Sequence, residues 1–349
     1  MRVRLEDACE KESSKLKQSD VIDQNGLYPV YGASGYLGNI NTYQQSNYYI
    51  AVVKDGAGIG RTMLLPPESS IIGTMQYLIP KDNVLPEYLY YVVKAKHLEK
   101  YFSGATIPHI YFKDYKNEQF DLVSFEEQRV IINRLKKIEI IIDNLSKNLL
   151  LLDELVRARF VEMFGDPRIN EKKWKAGKIV DYFEVKGGKR IPKGMGYAER
   201  KTNHPYLRAS DMKNATILDD DIHYIDEEVY KRIKRYTVNA HDIYLTNVGV
   251  NLGMAGVIPK QYDGANLTEN AVKLVPKDKI LLNGMFLSYY INSPGIQHYI
   301  NERKMSVGVP KLAIFRIESM PLLLPPLELQ NQFASFVEEV DKSQFVPHQ

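Results

Sequence analysis

The chain contains one stretch of sequence in two copies. Residues 120–135 read FDLVSFEEQRVIINRL and residues 322–337 read LLLPPLELQNQFASFV. An offset of 202 residues aligns the copies without a gap and brings identical residues together: Pro108 with Pro310, Leu122 with Leu324, Glu126 with Glu328 and Gln128 with Gln330. Because offsets of 196 to 202 residues relate the two halves along their length, the sequence predicts a fold made of two copies of one unit.

Each half shows the same order of predicted elements before its copy of that stretch. In the first half, residues 48–65 read as two strands joined by a glycine turn, and residues 85–102 read as a helix. In the second half, residues 241–259 and 283–300 repeat this order. The repeated unit is therefore predicted to mix strands and helices.

A long helix is predicted after the first mixed unit. Its apolar residues recur at alternating steps of four and three over four heptads, which is the spacing of a coiled-coil seam. The seam consists of Ile131, Leu135, Ile138, Ile142, Leu145, Leu149, Leu152 and Val156. The sequence FGDP ends the helix, since Gly165 can adopt a left-handed conformation and Pro167 cannot continue it. At about 1.5 Å per residue, such a helix is roughly 60 Å long.

The second copy of this helix is shorter. Its apolar pattern stops near Lys342 and has the same spacing at Leu329, Phe333, Phe336 and Val340. We therefore expect it to pair with one end of the first helix and to leave part of the seam uncovered, either around 145–156 or at the opposite end. A second copy of the chain or a partner subunit would then cover that part.

Composition excludes several classes of protein. With 349 residues, of which 44% are hydrophobic and 26% charged, the chain suits two globular domains. The single cysteine, Cys9, excludes an intrachain disulfide framework and a cysteine-rich metal site. The first residues lack the apolar core of a signal peptide, and the apolar runs are too short to cross a membrane, so we expect a cytoplasmic protein.

Positive charge is concentrated in one segment. The formal net charge is only +3, but residues 171–208 contain eleven Lys or Arg and four acids, which gives this segment +7 and the remainder −4. Such a segment indicates an anionic partner. A solvated, lysine-rich loop is the alternative interpretation.

Six motifs follow one another along nearly the whole chain. They are GATIPHIYFKDYKNEQF, VSFEEQRVIINRL, RARFVEMFGDP, YLRASDM, DIYLTNVGVNLGMAGVI and LPPLELQNQFASF. None is specific alone. In this order, and with the repeated helix start, the chain resembles the DNA-specificity subunits of Type I restriction–modification systems.

The resemblance implies an α+β fold. Two mixed α/β target recognition domains would be joined by long antiparallel coiled-coil helices, with a pseudo-twofold internal repeat. The implied limits are 1–123 for the first recognition domain, 124–165 for the first spacer helix, 166–173 for a linker, 174–325 for the second recognition domain and 326–349 for the second, short helix.

The resemblance also implies a non-catalytic subunit that binds double-stranded DNA at a bipartite target. Methylation and cleavage would come from two methyltransferase subunits and from restriction subunits, which would bind S-adenosylmethionine, ATP and Mg²⁺. The chain itself would bind no cofactor and no metal. Its helices would separate the two readers and receive the methyltransferase on apolar residues outside the seam: Ile132, Ile141, Leu150 and Leu151. Packing against the chain's own domains is the other role open to these residues.

Candidate DNA contacts lie near the glycine turns and in the basic segment. Arg or Lys can pair with guanine O6 and N7, and Asn or Gln with adenine N6 and N7. In the first unit the candidates are Lys54, Arg61, Gln76 and His109. In the second unit they are Lys186, Lys189, Arg190, Lys193, Arg208, Asn247 and Asn251.

Two other functions stay open at this point. Asp166, Glu171 and Lys173 have the residue types with which metal-dependent nucleases hold a divalent ion beside DNA, but no strand pattern surrounds them. A coiled-coil scaffold without DNA affinity is the second. The turn DGAGIG lacks the Lys-Ser/Thr pair and the helix of a P-loop, and the seven histidines show no metal-ligand spacing.

Overall fold

The chain divides into two compact units, Met1–Leu145 and Ser146–Gln349. The computed structural model describes residues 1–22, 24–104, 108–213, 215–277 and 282–344. Within these ranges, no helix combines the length and the apolar character needed to cross a membrane. The end of the second predicted helix, 345–349, and the middle of the predicted proline loop, 105–107, lie outside the described residues.

The first unit contains two sheets and a separate strand pair. Its elements are β1 (Arg2–Arg4), α1 (Leu5–Ala8), β2 (Cys9–Ser13), β3 (Tyr28–Gly32), β4 (Gly35–Ile40), β5 (Tyr49–Val53), β6 (Thr62–Leu65), β7 (Ser70–Ile71), β8 (Met75–Pro80), α2 (Pro86–Lys94), α3 (Phe112–Tyr115), β9 (Gln119–Asp121) and the start of α4 (Phe125–Phe164). Four antiparallel strands have the order β2-β8-β5-β6. Three strands have the order β4-β3-β7, in which β3 and β7 are parallel, and β1 pairs with β9.

The second unit repeats this topology. Its elements after α4 are β10 (Lys175–Lys178), α5 (Ile179–Tyr182), β11 (Phe183–Gly187), β12 (Pro205–Leu207), β13 (Met212–Lys213), β14 (Thr216–Ile217), β15 (His223–Tyr224), α6 (Glu227–Ile233), β16 (Ile243–Thr246), β17 (Ala255–Val257), β18 (Asn266–Leu267), β19 (Ala271–Pro276), α7 (Gly284–Asn292), α8 (Pro294–Arg303), α9 (Ile314–Glu318), β20 (Pro321–Leu324) and α10 (Leu327–Gln344). The strand orders are β11-β19-β16-β17 and β15-β12-β18, with β12 and β18 parallel, and β10 pairs with β20. A hairpin of β13 and β14 is additional. The predicted α+β fold with an internal repeat is confirmed.

Each four-stranded sheet is buried on both faces near its centre. In β5, which reads YIAVV, all five residues are buried. Successive side chains of a strand point to opposite faces. Accordingly, Ile50 and Val52 belong to one apolar cluster, whereas Ala51 and Val53 belong to another. A continuous apolar run therefore marks a strand that is covered on both sides.

The repeated glutamine joins each long helix to the mixed unit before it. Gln128 is 1% exposed; its Oε1 accepts a hydrogen bond from the Leu85 N–H at 2.8 Å, and its Nε2 donates to the Val123 carbonyl at 3.0 Å. Gln330 is 0% exposed and makes the equivalent bonds in the second unit, with the Asn283 N–H and the Pro325 carbonyl, both at 2.8 Å. The repeated Glu-x-Gln of the sequence therefore reflects a structural joint.

Local signals set both ends of α4. Ser124 and Glu127 form a capping box, in which the Ser124 N–H donates to Glu127 Oε2 at 3.1 Å and the Glu127 N–H donates to Ser124 Oγ at 3.3 Å. Beyond the helix, Gly165 has a φ of +76°, as predicted, and its N–H donates to the Val161 carbonyl at 2.8 Å. The helix thus begins and ends where its sequence signals lie.

The predicted seam of α4 is exposed in its middle. Its first residues, Ile131 and Leu135, are half-buried, and its last residue, Val156, is buried. The central seam residues are between 48% and 58% exposed: Ile138, Ile142, Leu145 and Leu149. Part of the seam is exposed, as expected, but this part is the middle, 138–149, which overlaps the predicted stretch 145–156 only in part and is not the opposite end of the seam.

The pairing of α10 with α4 explains this pattern. Phe333 packs its ring against Phe160 and Phe164, at centroid distances of 5.4 and 5.6 Å. Later residues of α10 lie near earlier residues of α4. The guanidinium of Arg159 on α4 lies 5.9 Å from the ring centroid of Phe336 on α10. Asp341 on α10 lies near Asp153 on α4, and burial together with this negative charge raises the pKa of Asp341. The helices are therefore antiparallel in the second unit. By this register, the described end of α10 lies about opposite Leu150.

The apolar residues outside the seam fall into two groups. Ile132 is 5% exposed and belongs to the core of the first unit, so its proposed role as a docking residue is corrected. Ile141, Leu150 and Leu151 are 56%, 65% and 61% exposed. These three side chains are at the surface of the described chain.

Replacement of the buried glutamine should destabilise the second unit. Gln330→Ala removes the partner of one backbone N–H and one carbonyl, so we expect the free energy of unfolding to fall by about 2–4 kcal/mol. Trp174 is the single tryptophan and lies in this unit, so its fluorescence during urea unfolding reports the change. Glu328→Ala, at an exposed position of the same motif, should change stability by less than about 0.5 kcal/mol. Equal losses in both variants would contradict the structural role of Gln330.

Candidate nucleic-acid interface

A closed glycine turn follows β5 in the first unit. The Gly60 N–H donates to the Val53 carbonyl at 2.9 Å, and the Val53 N–H donates to the Arg61 carbonyl at 2.9 Å. Gly56, near the tip of this turn, has a φ of +93°, a conformation that side chains disfavour. The turn therefore has a defined backbone shape.

The proline loop of the first unit is hydrogen-bonded to this turn. The Gly56 N–H donates to the Pro108 carbonyl at 3.0 Å, and the Ile110 N–H donates to the Lys54 carbonyl at 2.9 Å. Two segments more than forty residues apart in sequence thus form one surface. This surface is termed the first loop cluster, residues 54–61 and 108–110.

The second unit repeats these hydrogen bonds at equivalent positions. The Gly249 N–H donates to the Pro310 carbonyl at 2.9 Å, and the Leu312 N–H donates to the Asn247 carbonyl at 2.8 Å. The turn itself is closed by a bond from the Gly253 N–H to the Thr246 carbonyl at 2.8 Å. This surface is termed the second loop cluster, residues 247–254 and 305–312.

The two loop clusters share a backbone but differ in their side chains. In the first cluster the bridged pair is Asp55 and His109; in the second, the equivalent pair is Val248 and Lys311. A loop tip on a rigid sheet is a common place for binding residues, because its side chains can vary without loss of the fold. The arrangement is suited to two recognition surfaces with different targets.

A charged group forms the centre of the first loop cluster. Asp55 lies between Lys54 and His109, which were both predicted to contact DNA. Its Oδ1 is 2.7 Å from His109 Nδ1, and its Oδ2 accepts a hydrogen bond from Lys54 Nζ at 3.0 Å. Arg61 is exposed in the same turn, and its Nη1 donates to the Ala33 carbonyl at 2.9 Å. The structure therefore brings Lys54, Arg61 and His109 together.

Gln76 does not belong to this surface. It is 2% exposed, and its Nε2 donates to the Tyr115 hydroxyl at 2.7 Å in the interior of the first unit. The prediction that Gln76 contacts DNA is therefore corrected: its amide is occupied inside the protein. It lies in β8, a central strand whose two faces are both covered.

Of the two asparagines of the second loop cluster that were predicted to contact DNA, Asn247 is buried and Asn251 is half-buried. Asn247 is 6% exposed, its Nδ2 donates to the Leu312 carbonyl at 3.4 Å, and its Oδ1 has no hydrogen-bond partner among the described residues. Asn251 is half-buried and donates from Nδ2 to the Ala209 carbonyl at 3.4 Å. Asn247 is thus corrected from a base contact to a residue that positions the loops.

The lysines of the basic segment are at the surface. Lys186 forms an ion pair with Glu184 at 2.5 Å, and both side chains are more than half exposed. The Lys189 ammonium lies 5.7 Å from the ring centroid of Tyr236. Lys193 is exposed. Exposed pairs of this kind contribute little to stability, so these cations are available to an anionic partner.

A groove of about 440 Å³ lies beside the basic segment of the second unit. Arg190, Arg208 and Asn270 are among its lining residues. Arg190 donates from Nε to Glu269 at 2.6 Å at the rim of this groove. Asn270 accepts from the Asn247 N–H at 3.0 Å through its carbonyl, and this bond fixes the groove to the loop cluster.

Arg208 holds a polar network inside the second unit. Its Nη2 donates to Asp211 Oδ1 at 2.7 Å and to Asp221 Oδ2 at 3.0 Å, and its Nη1 lies 3.2 Å from His223 Nε2. The hydrogen bond from Arg208 holds the pKa of Asp221 below its usual range. With most of its donors occupied and its side chain 21% exposed, Arg208 holds the groove together, and its contact with DNA stays a prediction.

Comparison with known proteins identifies the family. The model of the Type I restriction modification DNA specificity domain matches residues 1–151 and 171–345. The chain belongs to this family.

Relatives and solved structures agree with this assignment. The specificity subunit of the Type I restriction enzyme MjaIX from Methanocaldococcus jannaschii is 25% identical over 282 residues, which are 75% of this chain and 63% of that protein. The specificity subunit of the Type I restriction enzyme EcoBI from Escherichia coli is 24% identical over 134 residues, which are 38% of this chain and 28% of that protein. The chain thus matches less than two thirds of the length of either relative. The crystal structure of a Type I restriction–modification S subunit from M. genitalium has the same fold, with a TM-score of 0.60, 16% identity, and coverage of 99% of this chain and 90% of that one.

Asp166, one of the linker residues considered for a nuclease, is engaged by a neighbouring arginine in this specificity-family chain. Asp166 is bound by the neighbouring Arg168, whose Nη2 and Nε donate to Oδ2 at 2.6 and 3.0 Å. This contact keeps the pKa of Asp166 below its usual range. The described residues contain no group of three or more His, Cys, Asp or Glu placed to hold a metal ion.

Sequence reasoning missed two residues of the loop clusters and one residue of the groove. Asp55 links Lys54 with His109, both of which were predicted to contact DNA. Lys311 is exposed at the position equivalent to His109, and Asn270 lines the groove. The repeat itself contained the signal for Lys311, since the offset of 202 residues maps His109 onto it. No comparable signal marked Asp55, because its role follows from a contact with a residue 54 positions away.

Arg208 and Arg190 should differ in their effect on stability. Arg208→Ala leaves the nearly buried Asp211 without its ion pair, so we expect a loss of about 3 kcal/mol in the free energy of unfolding. Arg190→Ala removes a guanidinium from a side chain that is 79% exposed and should cost less than about 1 kcal/mol. Urea unfolding followed by Trp174 fluorescence measures both. A larger loss for Arg190→Ala would contradict the positioning role of Arg208.

Proposed function

We propose that this chain is the DNA-binding specificity subunit of a Type I restriction–modification complex and reads a bipartite target in double-stranded DNA. The observation that carries the proposal is the repeated hydrogen-bonded loop frame with different side chains in the two units. In this proposal each unit reads one half-site. Phosphate contacts by the basic residues set the register, and the loop side chains read base edges.

The chain has no catalytic role in this proposal. Methylation and cleavage belong to two methyltransferase subunits and to restriction subunits, which bind S-adenosylmethionine, ATP and Mg²⁺. The complex works on cytoplasmic DNA. Family membership supports this division, and no contact within 166–173 favours the nuclease alternative.

Exchange of one unit should change one half of the target. The test is methylome sequencing of cells that contain this chain and its methyltransferase partner. We expect methylation at a split target, and exchange of residues 174–322 for the equivalent region of another family member should change only one half-site. A contiguous target, or a change in both halves, would overturn the proposal. Duplex binding that weakens steeply with salt would in addition exclude a scaffold without DNA affinity.

The exposed apolar residues of α4 suit the methyltransferase interface. Leu150 and Leu151 are 65% and 61% exposed, and with Leu155, at 49%, they form an apolar surface within the second unit. Exposed apolar patches on a folded chain mark interaction sites. In our proposal the methyltransferase covers this surface, and a second copy of the chain covers the exposed seam residues around Leu145 and Leu149.

Charge placed on this surface should reduce complex formation. Leu150→Asp with Leu151→Asp places two desolvated carboxylates in the proposed interface, so co-purification of the methyltransferase should fall at least about tenfold. Asn133→Asp adds a charge at an exposed position of the same helix, about 25 Å along the axis from Leu150 at 1.5 Å per residue, and serves as the control. Unchanged co-purification by the double variant would exclude Leu150 and Leu151 from the interface. Light scattering of the isolated chain measures self-association.

A further inference from the structure

The second loop cluster ends in exposed valines. Val250 is 98% exposed, Val307 is 96% exposed and Val309 is 66% exposed. A single exposed apolar side chain is ordinary, but a group of them marks an interaction site. These valines lie on two loops that are hydrogen-bonded to each other.

Backbone pairing sets the position of these valines. Val248 and Lys311 form an antiparallel bridge, and the Gly249 N–H donates to the Pro310 carbonyl at 2.9 Å. The following residue on each segment is a valine, so this pairing brings Val250 towards Val309. A second bridge, between Met305 and Lys311, closes the proline loop into a hairpin, with Gly308 at a φ of +79° in its turn. The three valines therefore form one apolar tip.

Cations outnumber acids near this apolar tip. Residues 302–318 include Arg303, Lys304, Lys311 and Arg316, against Glu302 and Glu318 at the two ends, and Arg303 pairs with Glu302 at 2.9 Å. Lys311 and Arg316 are exposed. An apolar protein surface would not require such a rim of cations, whereas a polyanion attracts it. The combination favours a DNA groove, in which phosphates lie beside base edges.

The equivalent part of the first unit has another chemistry. Ala57 replaces Val250 at the tip of the glycine turn, and the bridged pair is Asp55 and His109 instead of Val248 and Lys311. On the same frame, the first loop cluster therefore presents hydrogen-bonding groups and the second presents methyl groups. The two loop clusters therefore offer different physical contacts to a ligand.

We propose that Val250, Val307 and Val309 contact thymine C5-methyl groups in the major groove of the half-site read by the second unit. Thymine is the only base with an apolar group on its major-groove edge, and apolar side chains recognise it there. Lys311 holds a phosphate beside this contact. The inference rests on the proposed function and names the base chemistry of one half-site.

Replacement of thymine by deoxyuridine tests this contact. Deoxyuridine keeps the base pair and removes only the methyl group. The full chain, in complex with its methyltransferase subunits, is titrated with duplexes of the target found by methylome sequencing, and fluorescence anisotropy gives the affinity. We expect a loss of roughly fourfold for each buried methyl that is removed from the second half-site. Deoxyuridine in the spacer should have no effect.

A triple variant makes the test specific. Val250→Ser, Val307→Ser and Val309→Ser together remove both methyl groups of each side chain at exposed positions. In this triple variant, deoxyuridine in the second half-site should no longer weaken binding, while the response to deoxyuridine in the first half-site stays as in the wild type. Val180→Ser, at a partly exposed position on α5, is the matched control and should behave as the wild type.

A second measurement separates Lys311 from the valines. Lys311→Gln should lower the slope of log affinity against log salt concentration by about one, without loss of the deoxyuridine effect.

Each other outcome has a distinct meaning. A wild-type complex that is insensitive to deoxyuridine in the second half-site overturns the inference and leaves the proposed function intact. A triple variant that loses its methyltransferase subunits but keeps its DNA preference assigns the apolar tip to a protein interface and also overturns the inference. The absence of any split target overturns the proposed function, and the inference falls with it.

Discussion

The buried glutamine at each helix start is the contact on which the repeated architecture depends. Gln128 and Gln330 each use both ends of one amide to hold the first turn of a long helix to the backbone of the preceding unit. An apolar residue cannot satisfy those backbone groups, and a charged residue would be desolvated there. This joint fixes where each long helix starts relative to its own mixed unit. The Glu-x-Gln motif therefore occurs twice, once at each helix start.

The loop clusters apply the same logic at the surface proposed to contact DNA. Backbone hydrogen bonds from glycine and to proline set the shape of the loops, so the side chains at their tips do not have to stabilise the fold. The pair of Asp55 and His109 can therefore be replaced by Val248 and Lys311 on an unchanged frame. A protein that must change its target while it keeps its partners benefits from this separation of shape and chemistry.

Burial divides the polar residues near these loops into two roles. Asn247 and Arg208 hold segments together, since their hydrogen-bonding groups are directed into the second unit. Lys311 and Arg190 are at the surface, where a cation can meet a phosphate. Residue type alone does not distinguish these roles, because arginine and asparagine can serve in both.

The sequence by itself determined the repeat, the α+β composition, and the start and end of α4, because periodicity, capping residues and glycine turns act between residues close along the chain. Only the tertiary structure decided which side chains face outward. Gln76 has the residue type of a base reader but lies in a covered strand, whereas Asp55 became central through a contact with His109, 54 residues away. Likewise, the heptads specify an apolar stripe, but the register with α10 decides which part of that stripe is buried. Long-range packing sets these outcomes, and no local pattern encodes it.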